Sequence, residues 1–145
     1  SSLPYATGAA GYENIHTFHF ESAQFNSIAS VFFLKIQVVS VIMPTDIDPD
    51  KMDEIQNSDD TWVIDFWADW CQPCKKLAPI FEEVSEEVDE ANFGKVDMEE
   101  NQSIGTQMGV RALPTIVIME GDEEVARVSG VKNKDEFKSW VQENI

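Results

Sequence analysis

The two cysteines of the chain, Cys71 and Cys74, are its only thiols and are separated by two residues. A disulfide between them closes so short a loop that it removes little entropy from the unfolded chain, which makes it a weak structural cross-link. If a helix begins at Cys71, the unpaired N–H groups of its first turn favour a thiolate there, and the thiolate is the reactive form of cysteine. The spacing therefore predicts thiol–disulfide redox chemistry.

Two other uses of a cysteine pair agree less well with the sequence. Structural zinc requires four ligands, and the only histidines, His16 and His19, lie far upstream in a segment without pattern. Free cysteines can also serve as small buried hydrophobes. The neighbours Trp70, Pro73 and Lys75 instead indicate an exposed turn at the start of a helix.

Acidic residues dominate the chain, whose formal net charge is −17. Residues 1–42 contribute −1, from two Glu and one Lys, so residues 43–145 carry the remaining −16. Nucleic acid and anionic membranes are not expected partners, since both bind surfaces rich in Lys and Arg. Salt screens the self-repulsion of such a surface, which favours a halophile cytoplasm of high salt. An acidic docking face for basic partners is the alternative.

Residues 31–42 form an apolar, β-branched run that invites comparison with a membrane segment. A bilayer span needs about 20 apolar residues, and Lys35 and Gln37 interrupt this shorter run. A signal peptide is disfavoured because residues 1–27 contain no Lys or Arg for a basic n-region. The sequence therefore favours a cytoplasmic location over export or anchoring.

Met43 is the expected start of a compact domain that spans residues 43–145, with residues 1–42 as an N-terminal extension. One interpretation of the extension is an added leader or a start codon placed too far upstream. The other is that residues 36–42 supply an extra strand at the edge of the sheet, because apolar β-branched runs favour strands.

Hydrophobic periodicity from Met43 onwards predicts alternating helices and strands. The expected elements are a helix from Pro49 to Gln56, a strand Trp62–Trp67, a helix Cys71–Val88 kinked at Pro79, a strand Phe93–Val96, a helix Gln102–Met108, strands Thr115–Met119 and Glu124–Ser129 joined by a turn, and a last helix capped by Asn133. This order predicts an α/β fold with a central mixed β-sheet and helices on both faces.

Residues 66–75, Phe-Trp-Ala-Asp-Trp-Cys-Gln-Pro-Cys-Lys, resemble the active-site signature of the thioredoxin family. Residues 112–115, Ala-Leu-Pro-Thr, resemble its cis-proline loop, and Gly130 stands where the family has the glycine of its substrate groove. The resemblance covers nearly all of residues 43–145 and implies the thioredoxin fold. It also implies that the only redox group is the cysteine pair, with no metal and no organic cofactor. The acidity resembles that of thioredoxins from halophilic archaea.

Two features depart from the family pattern. Gln72 replaces the glycine that is usual between the cysteines, which leaves the redox potential and the choice of partner open. Only about 18 residues separate Met43 from Trp62, which leaves little room for the family's first strand and a full first helix. This shortage favours a strand contributed by residues 36–42.

Four residues are the expected catalytic groups. Cys71 is the nucleophile, exposed at the start of the helix, and Cys74, shielded one turn further on, resolves the mixed disulfide that Cys71 forms. Asp65 interrupts a buried apolar strand, where burial should raise the pKa of its carboxyl towards neutral and suit it to take the proton from Cys74. By the resemblance, Lys95 is the charge that approaches Asp65. The alternatives are a purely structural carboxyl and an ordinary surface lysine.

The resemblance further implies a surface that binds the substrate. Pro114 is expected to be cis and to place the backbone of Leu113 beside the sulfurs, ready to pair with an extended substrate strand. Trp70 is expected to shield the disulfide and to line the groove. The other expected members of this surface are Gln72, Pro73 and Gly130.

The leading hypothesis is a monomeric protein disulfide reductase that works through a reversible Cys71–Cys74 dithiol and disulfide. Its partners would be disulfide-containing proteins and, because the chain has no flavin or nicotinamide motif, a separate thioredoxin reductase as electron donor. An exported thiol oxidase or isomerase is the second hypothesis. A redox-inert binding module is the third, and it predicts that function survives the loss of both cysteines.

Overall fold

The computed structural model describes residues 43–130 and 132–145, so the strand expected at residues 36–42 lies outside the described part. The elements in chain order are β1 (Thr45–Asp46), α1 (Pro49–Gln56), β2 (Thr61–Trp67), α2 (Gln72–Glu87), β3 (Asn92–Asp97), α3 (Gln102–Gln107), β4 (Thr115–Glu120), β5 (Glu123–Ser129) and α4 (Lys134–Asn144). Every helix and strand predicted from residue 43 onwards is present, with ends that agree to about one residue.

The sheet has five strands in the order β1-β3-β2-β4-β5. β3 pairs in parallel with β1 and β2, whereas β4 pairs antiparallel with β2 and β5. The expected mixed sheet is therefore confirmed. Successive residues of a strand point to opposite sides of the sheet, and helices cover both of these sides.

β1 corrects the predicted element order, which began with a helix. Thr45 pairs with Gly94 and Asp46 with Lys95, and the N–H of Ile47 continues the contact to the carbonyl of Lys95 at 2.8 Å. A strand of two residues is too short to show a periodicity of two. The stretch before β2 thus accommodates both a first strand and a first helix by shortening each of them.

Alternation along β2 divides the core between the two faces of the sheet. Trp62, Ile64 and Phe66 belong to a cluster with the apolar residues of α1 and α3. Val63 belongs to a second cluster with the apolar residues of α2 and α4. By the same alternation Asp65 lies on the α2 side of the sheet. No helix within residues 43–130 and 132–145 has the length and apolar character that crossing a bilayer requires.

α2 begins at the cysteine pair and is held on the sheet by its apolar face. Cys71 is its N-cap, and Pro73 occupies an early position where a missing N–H costs nothing. Leu77, Phe81 and Val84 are buried along the helix, and the ring of Phe81 lies between two other aromatic rings of the core. This packing fixes the end of α2 that carries the cysteines.

Candidate active site

Cys71 and Cys74 form a disulfide across the first turn of α2, with their Cα atoms 5.3 Å apart. The expectation that Cys71 is exposed is wrong for this oxidised form, since Cys71 exposes 4% of its surface and Cys74 3%. Ala68, Trp67 and Leu113 pack around the pair, and the bond directs each sulfur towards the other. The predicted shielding of Cys74 is confirmed.

The sulfur of Cys71 lies where a helix stabilises negative charge. Its Sγ accepts a hydrogen bond from the backbone N–H of Cys74 at 3.3 Å. The first N–H groups of a helix have no intrahelical partner, and together with the helix dipole they favour an anion at this position. Reduction of the disulfide would leave this stabilisation available to a Cys71 thiolate.

Asp65 lies behind the disulfide, fully buried in β2. Neither of its carboxylate oxygens has a hydrogen-bond partner among the described residues. Burial raises the pKa of Asp65 to about 7, as the sequence predicted, and the positive charge of Lys95 opposes part of that rise. A carboxyl group with this pKa can both hold and release a proton near neutral pH.

A cavity of about 90 Å³ is lined by both Asp65 and Cys74. Cys74 and Lys95 line it together with Asp65, and its remaining lining residues are Trp67, Asp69, Lys75 and Ala78. A space of this size with several polar walls can hold water. Water there would connect the carboxyl of Asp65 to the sulfur of Cys74.

Lys95 is positioned by its strand and by an aromatic ring. It pairs in register with Asp65 across β3 and β2, and its Nζ lies 5.5 Å from the centroid of the Trp67 ring. A cation at this distance from an indole is attracted to the face of the ring. The half-buried Lys95 therefore differs from an ordinary surface lysine, and its charge lowers the pKa of Asp65.

The loop before β4 approaches the disulfide from the other side. The peptide between Leu113 and Pro114 is cis, as expected. The carbonyl of Pro114 accepts the N–H of Gly130 at 3.0 Å, and the hydroxyl of Thr115 donates to the carbonyl of Ala112 at 2.7 Å. These bonds fix the turn, and Leu113 contacts the cysteine pair.

An open groove of about 670 Å³ lies beside the disulfide. Trp70, which exposes 68% of its surface, forms part of it. The other lining residues are Met98, Glu99, Gln102, Val110, Arg111, Ala112 and Leu113. Sequence reasoning placed Trp70 and Leu113 here but missed the others, which come from the first residue of α3 and from the two connections around that helix. Their one signal in the sequence is that Val110, Arg111 and Ala112 directly precede the Leu-Pro pair.

The remaining predicted surface residues, Gln72, Pro73 and Gly130, are not among the residues that line the groove. Gln72 and Pro73 are exposed in the first turn of α2. Gly130 is exposed with φ at +91°, a backbone conformation that favours glycine. Within the described ranges, His, Cys, Asp and Glu side chains form no group of three or more suited to a metal ion.

Comparison with known proteins shows similarity along most of the described chain. The family model for thioredoxin matches residues 47–143. Thioredoxin C-3 of Corynebacterium nephridii is 40% identical over 91 residues, which make up 63% of this chain and 63% of that protein. The thioredoxin of Buchnera aphidicola is 38% identical over 94 residues, or 64% of this chain and 87% of that protein. The chain thus spans less than two thirds of the first relative and most of the second.

Solved structures show the same likeness in three dimensions. The thioredoxin of Malassezia sympodialis, described as a member of a pan-allergen family, superimposes with a TM-score of 0.65 at 32% identity over 70% of this chain and 90% of that one. A point mutant of the thioredoxin from Halobacterium salinarum gives a TM-score of 0.65 at 31% identity, covering 72% of this chain and 92% of that one.

Proposed function

The chain belongs to the thioredoxin family of thiol–disulfide oxidoreductases, and on that premise we propose that it reduces disulfides in other proteins. The observation that carries the proposal is the Cys71–Cys74 disulfide at the start of α2. It lies between a buried carboxyl of raised pKa, Asp65, and the loop that contains the cis peptide before Pro114.

Cys71 begins the reaction in its thiolate form. Its sulfur attacks one sulfur of the substrate disulfide, the substrate S–S bond breaks, and a mixed disulfide forms. The other substrate sulfur leaves as a thiolate and takes a proton from solvent. The N-terminal position of Cys71 on α2 and the hydrogen bond from the N–H of Cys74 support this assignment.

Cys74 completes the reaction by attacking the sulfur of Cys71. The bond to the substrate breaks, the second substrate sulfur leaves as a thiolate that takes a proton from solvent, and the cysteine pair becomes a disulfide, so two electrons have passed from the pair to the substrate. The short separation of the two cysteines gives this step a high effective concentration. Asp65 accepts the proton of Cys74 across the shared cavity, and Lys95 keeps the pKa of Asp65 from rising further.

The substrate polypeptide lies across the cis-proline loop and the groove beside it. The backbone of Leu113 pairs with the substrate strand next to Pro114, and Trp70 contacts the substrate from the opposite side of the disulfide. Gln72, Pro73 and Gly130 contact it at the rim. The exposure of the rim residues and the size of the groove support this arrangement.

The same proposal includes the setting in which the protein works. We assign the activity to residues 43–145 as a monomer in the cytoplasm, recharged by a thioredoxin reductase. Family membership supports disulfide-containing substrates and a reductase partner in general. The charge of −16 on these residues, and the likeness to a Halobacterium thioredoxin, support a cytoplasm of high salt.

Replacement of each cysteine tests the activity. We expect Cys71→Ser and Cys74→Ser each to abolish catalysed reduction of insulin by dithiothreitol, whereas Ser139→Ala, an exposed change on α4, leaves the rate unchanged. Cys74→Ser should also accumulate a mixed disulfide through Cys71, because no second thiol can release the substrate. Full turnover by either cysteine variant would contradict the proposal and favour a redox-inert binding module.

The midpoint potential of the cysteine pair tests the direction of electron flow. A value near about −270 mV is that of a cytosolic reductant, and a value near about −120 mV is that of a strong oxidant. We expect the first in molar salt, measured by equilibration with dithiothreitol or glutathione buffers and thiol alkylation. The second would instead favour disulfide formation outside the cytoplasm.

A further inference from the structure

Arg127, on β5, joins that strand to the loop that follows α3. Its guanidinium donates to the main-chain carbonyl oxygens of Met108 at 2.6 Å and Gly109 at 3.3 Å. The same guanidinium forms a fork with Glu124, with Nε 2.7 Å from one carboxylate oxygen and Nη2 2.6 Å from the other. One side chain thus makes four hydrogen bonds between two separate parts of the chain.

The carbonyls that Arg127 binds close the C-terminus of α3. Met108 is the C-cap of this helix, and Gly109 turns the chain away from it with φ at +64°. The last carbonyls of a helix lack intrahelical partners, and a cation there satisfies them and interacts favourably with the helix dipole. α3 has only six residues, and a helix so short depends on such external contacts.

The segment that begins after Gly109 is one side of the groove. Residues 110–113 line it and lead directly into the cis peptide before Pro114. β5 and its following residue hold both ends of this segment. Arg127 holds the end at Gly109, and the N–H of Gly130 holds the end at Pro114. Without the Arg127 bonds, the first end would keep only its main-chain bonds to α3, such as the one from the N–H of Val110 to the carbonyl of Gly105 at 2.8 Å.

We propose that Arg127 is a positioning residue for binding of polypeptide substrates, acting through the carbonyls of Met108 and Gly109 on residues 110–113. This inference rests on the proposed function and adds a specificity to it. A polypeptide contacts the groove wall as well as the sulfurs, whereas a small disulfide reaches the sulfurs without the wall. Arg127 therefore governs affinity for protein disulfides and not reactivity towards small ones.

Glu124 keeps the guanidinium in the orientation that this role requires. Both oxygens of its carboxylate are occupied by Arg127, and a bidentate pair fixes the plane of the guanidinium. The hydrogen bond from Arg127 holds the pKa of Glu124 below its usual range, so the pair stays charged around neutral pH. Replacement of Glu124 should therefore disturb the same loop through Arg127, with a smaller effect than replacement of Arg127 itself.

The test compares two substrates with one set of variants. Arg127→Gln, which keeps a planar polar group but removes the charge and the fork, should raise the KM for insulin about tenfold, since charge-assisted hydrogen bonds are among the stronger ones. Its kcat and its rate with 2-hydroxyethyl disulfide should stay within about twofold of the wild type. Arg127→Lys should recover part of the loss. The control Lys138→Gln removes a cation of α4 that pairs with Glu87 at the end of α2, and it should change neither rate.

Each other outcome has a definite meaning. An unchanged insulin KM in Arg127→Gln, or a parallel fall of both rates, overturns the positioning role of Arg127. If the wild type reduces neither disulfide, the proposed function fails first. Should Arg127→Gln not fold, as judged by circular dichroism, Glu124→Gln is measured in the same way. A rise of about twofold to threefold in its insulin KM alone is the expected result, and an unchanged KM overturns the inference.

Discussion

A carboxyl group without a hydrogen-bond partner is costly to bury, yet Asp65 is fully buried beside the redox pair. In the native protein this burial raises the pKa of Asp65, because it disfavours the charged carboxylate more than the neutral carboxyl. This arrangement supports the proton-accepting role that we propose for Asp65 over a purely structural one. At the scale of single residues, the site thus retains a group that weakens the fold.

Asp65→Asn should reveal that weakening through pH. The carboxyl of Asp65 has its ordinary pKa of 3.8 in the unfolded chain and about 7 in the native protein. Between these values the unfolded state has lost the proton and the native state keeps it, so stability falls as pH rises through the window and levels off above 7. The loss is at most about 4 kcal/mol.

Because the amide cannot titrate, we expect Asp65→Asn to unfold at higher denaturant concentration than the wild type at pH 8. The difference should shrink towards zero near pH 4. The measurement is chemical unfolding of the oxidised protein at fixed salt, with Asp69→Asn, on an exposed side chain, as the matched control. A stability difference that does not depend on pH would contradict a native pKa near 7.

Single residues also show how far the sequence alone can be taken. Asp65 stood out because it breaks an apolar strand, a local pattern that implies its own burial. The exposure of Cys71 was misjudged because its burial depends on the disulfide and partly on Leu113, which the fold brings from more than 40 residues away. Local patterns predict the chemistry of a side chain better than its contacts with distant segments.

Among the described helices and strands, the short strand β1 is the one that the sequence did not predict. The longer helices and strands have a clear hydrophobic periodicity, and their predicted ends agree with the structure. β1 depends on β3, where the absence of a side chain at Gly94 lets the neighbouring chain approach. A Cβ at Gly94 would overlap the side chain of Ile47 and lie 3.2 Å from the carbonyl oxygen of Thr45.

Gly94→Ala should therefore destabilise the attachment of β1. We expect a loss of about 1–3 kcal/mol, the usual cost of overpacking a close contact, in denaturant unfolding. Ile47→Val shortens the side chain that the new methyl group meets. The double variant should recover part of the loss relative to the sum of the two single changes. Strict additivity would show that the overlap is not the cause.

At the scale of the whole molecule, most cations that the structure describes have an ion-pair partner and most of the described carboxylates do not. The cations of the described chain lie mostly in ion pairs, which join Lys51 to Glu54, Lys75 to Asp69, Arg127 to Glu124, Lys134 to Glu83 and Glu87, and Lys138 to Glu87. Most carboxylates in residues 43–130 and 132–145 have no such partner. Composition alone predicted this excess of negative charge. Which residues form ion pairs could be identified only from the structure.

Stability should consequently rise with salt. Screening shortens the range of repulsion from about 10 Å at 0.1 M to about 3 Å at 1 M. We expect the thermal midpoint to rise by about 4–8 °C or more over this range, which corresponds to about 1 kcal/mol for a domain of this size. The measurement is thermal unfolding in potassium chloride at fixed pH.

A variant with three fewer negative charges, on α2 and just after its C-terminus, separates charge screening from general effects of salt on stability. Glu82→Gln, Glu86→Gln and Asp89→Asn together remove three exposed charges and should flatten the dependence on salt. Equal slopes for this variant and the wild type would point to preferential exclusion of the salt rather than to charge. A wild type whose stability does not rise with salt would rule out adaptation to a halophile cytoplasm.

The indole rings around the cysteine pair give the reaction an optical signal of its own. Trp67 packs against the disulfide, and Trp70 immediately precedes it in the chain while remaining largely open to solvent. A disulfide quenches nearby excited indoles by accepting an electron, and a pair of thiols does so far less. We therefore expect the ultraviolet emission of the protein to change with the oxidation state of the pair, which would let that state be followed in real time without a dye or a coupled assay.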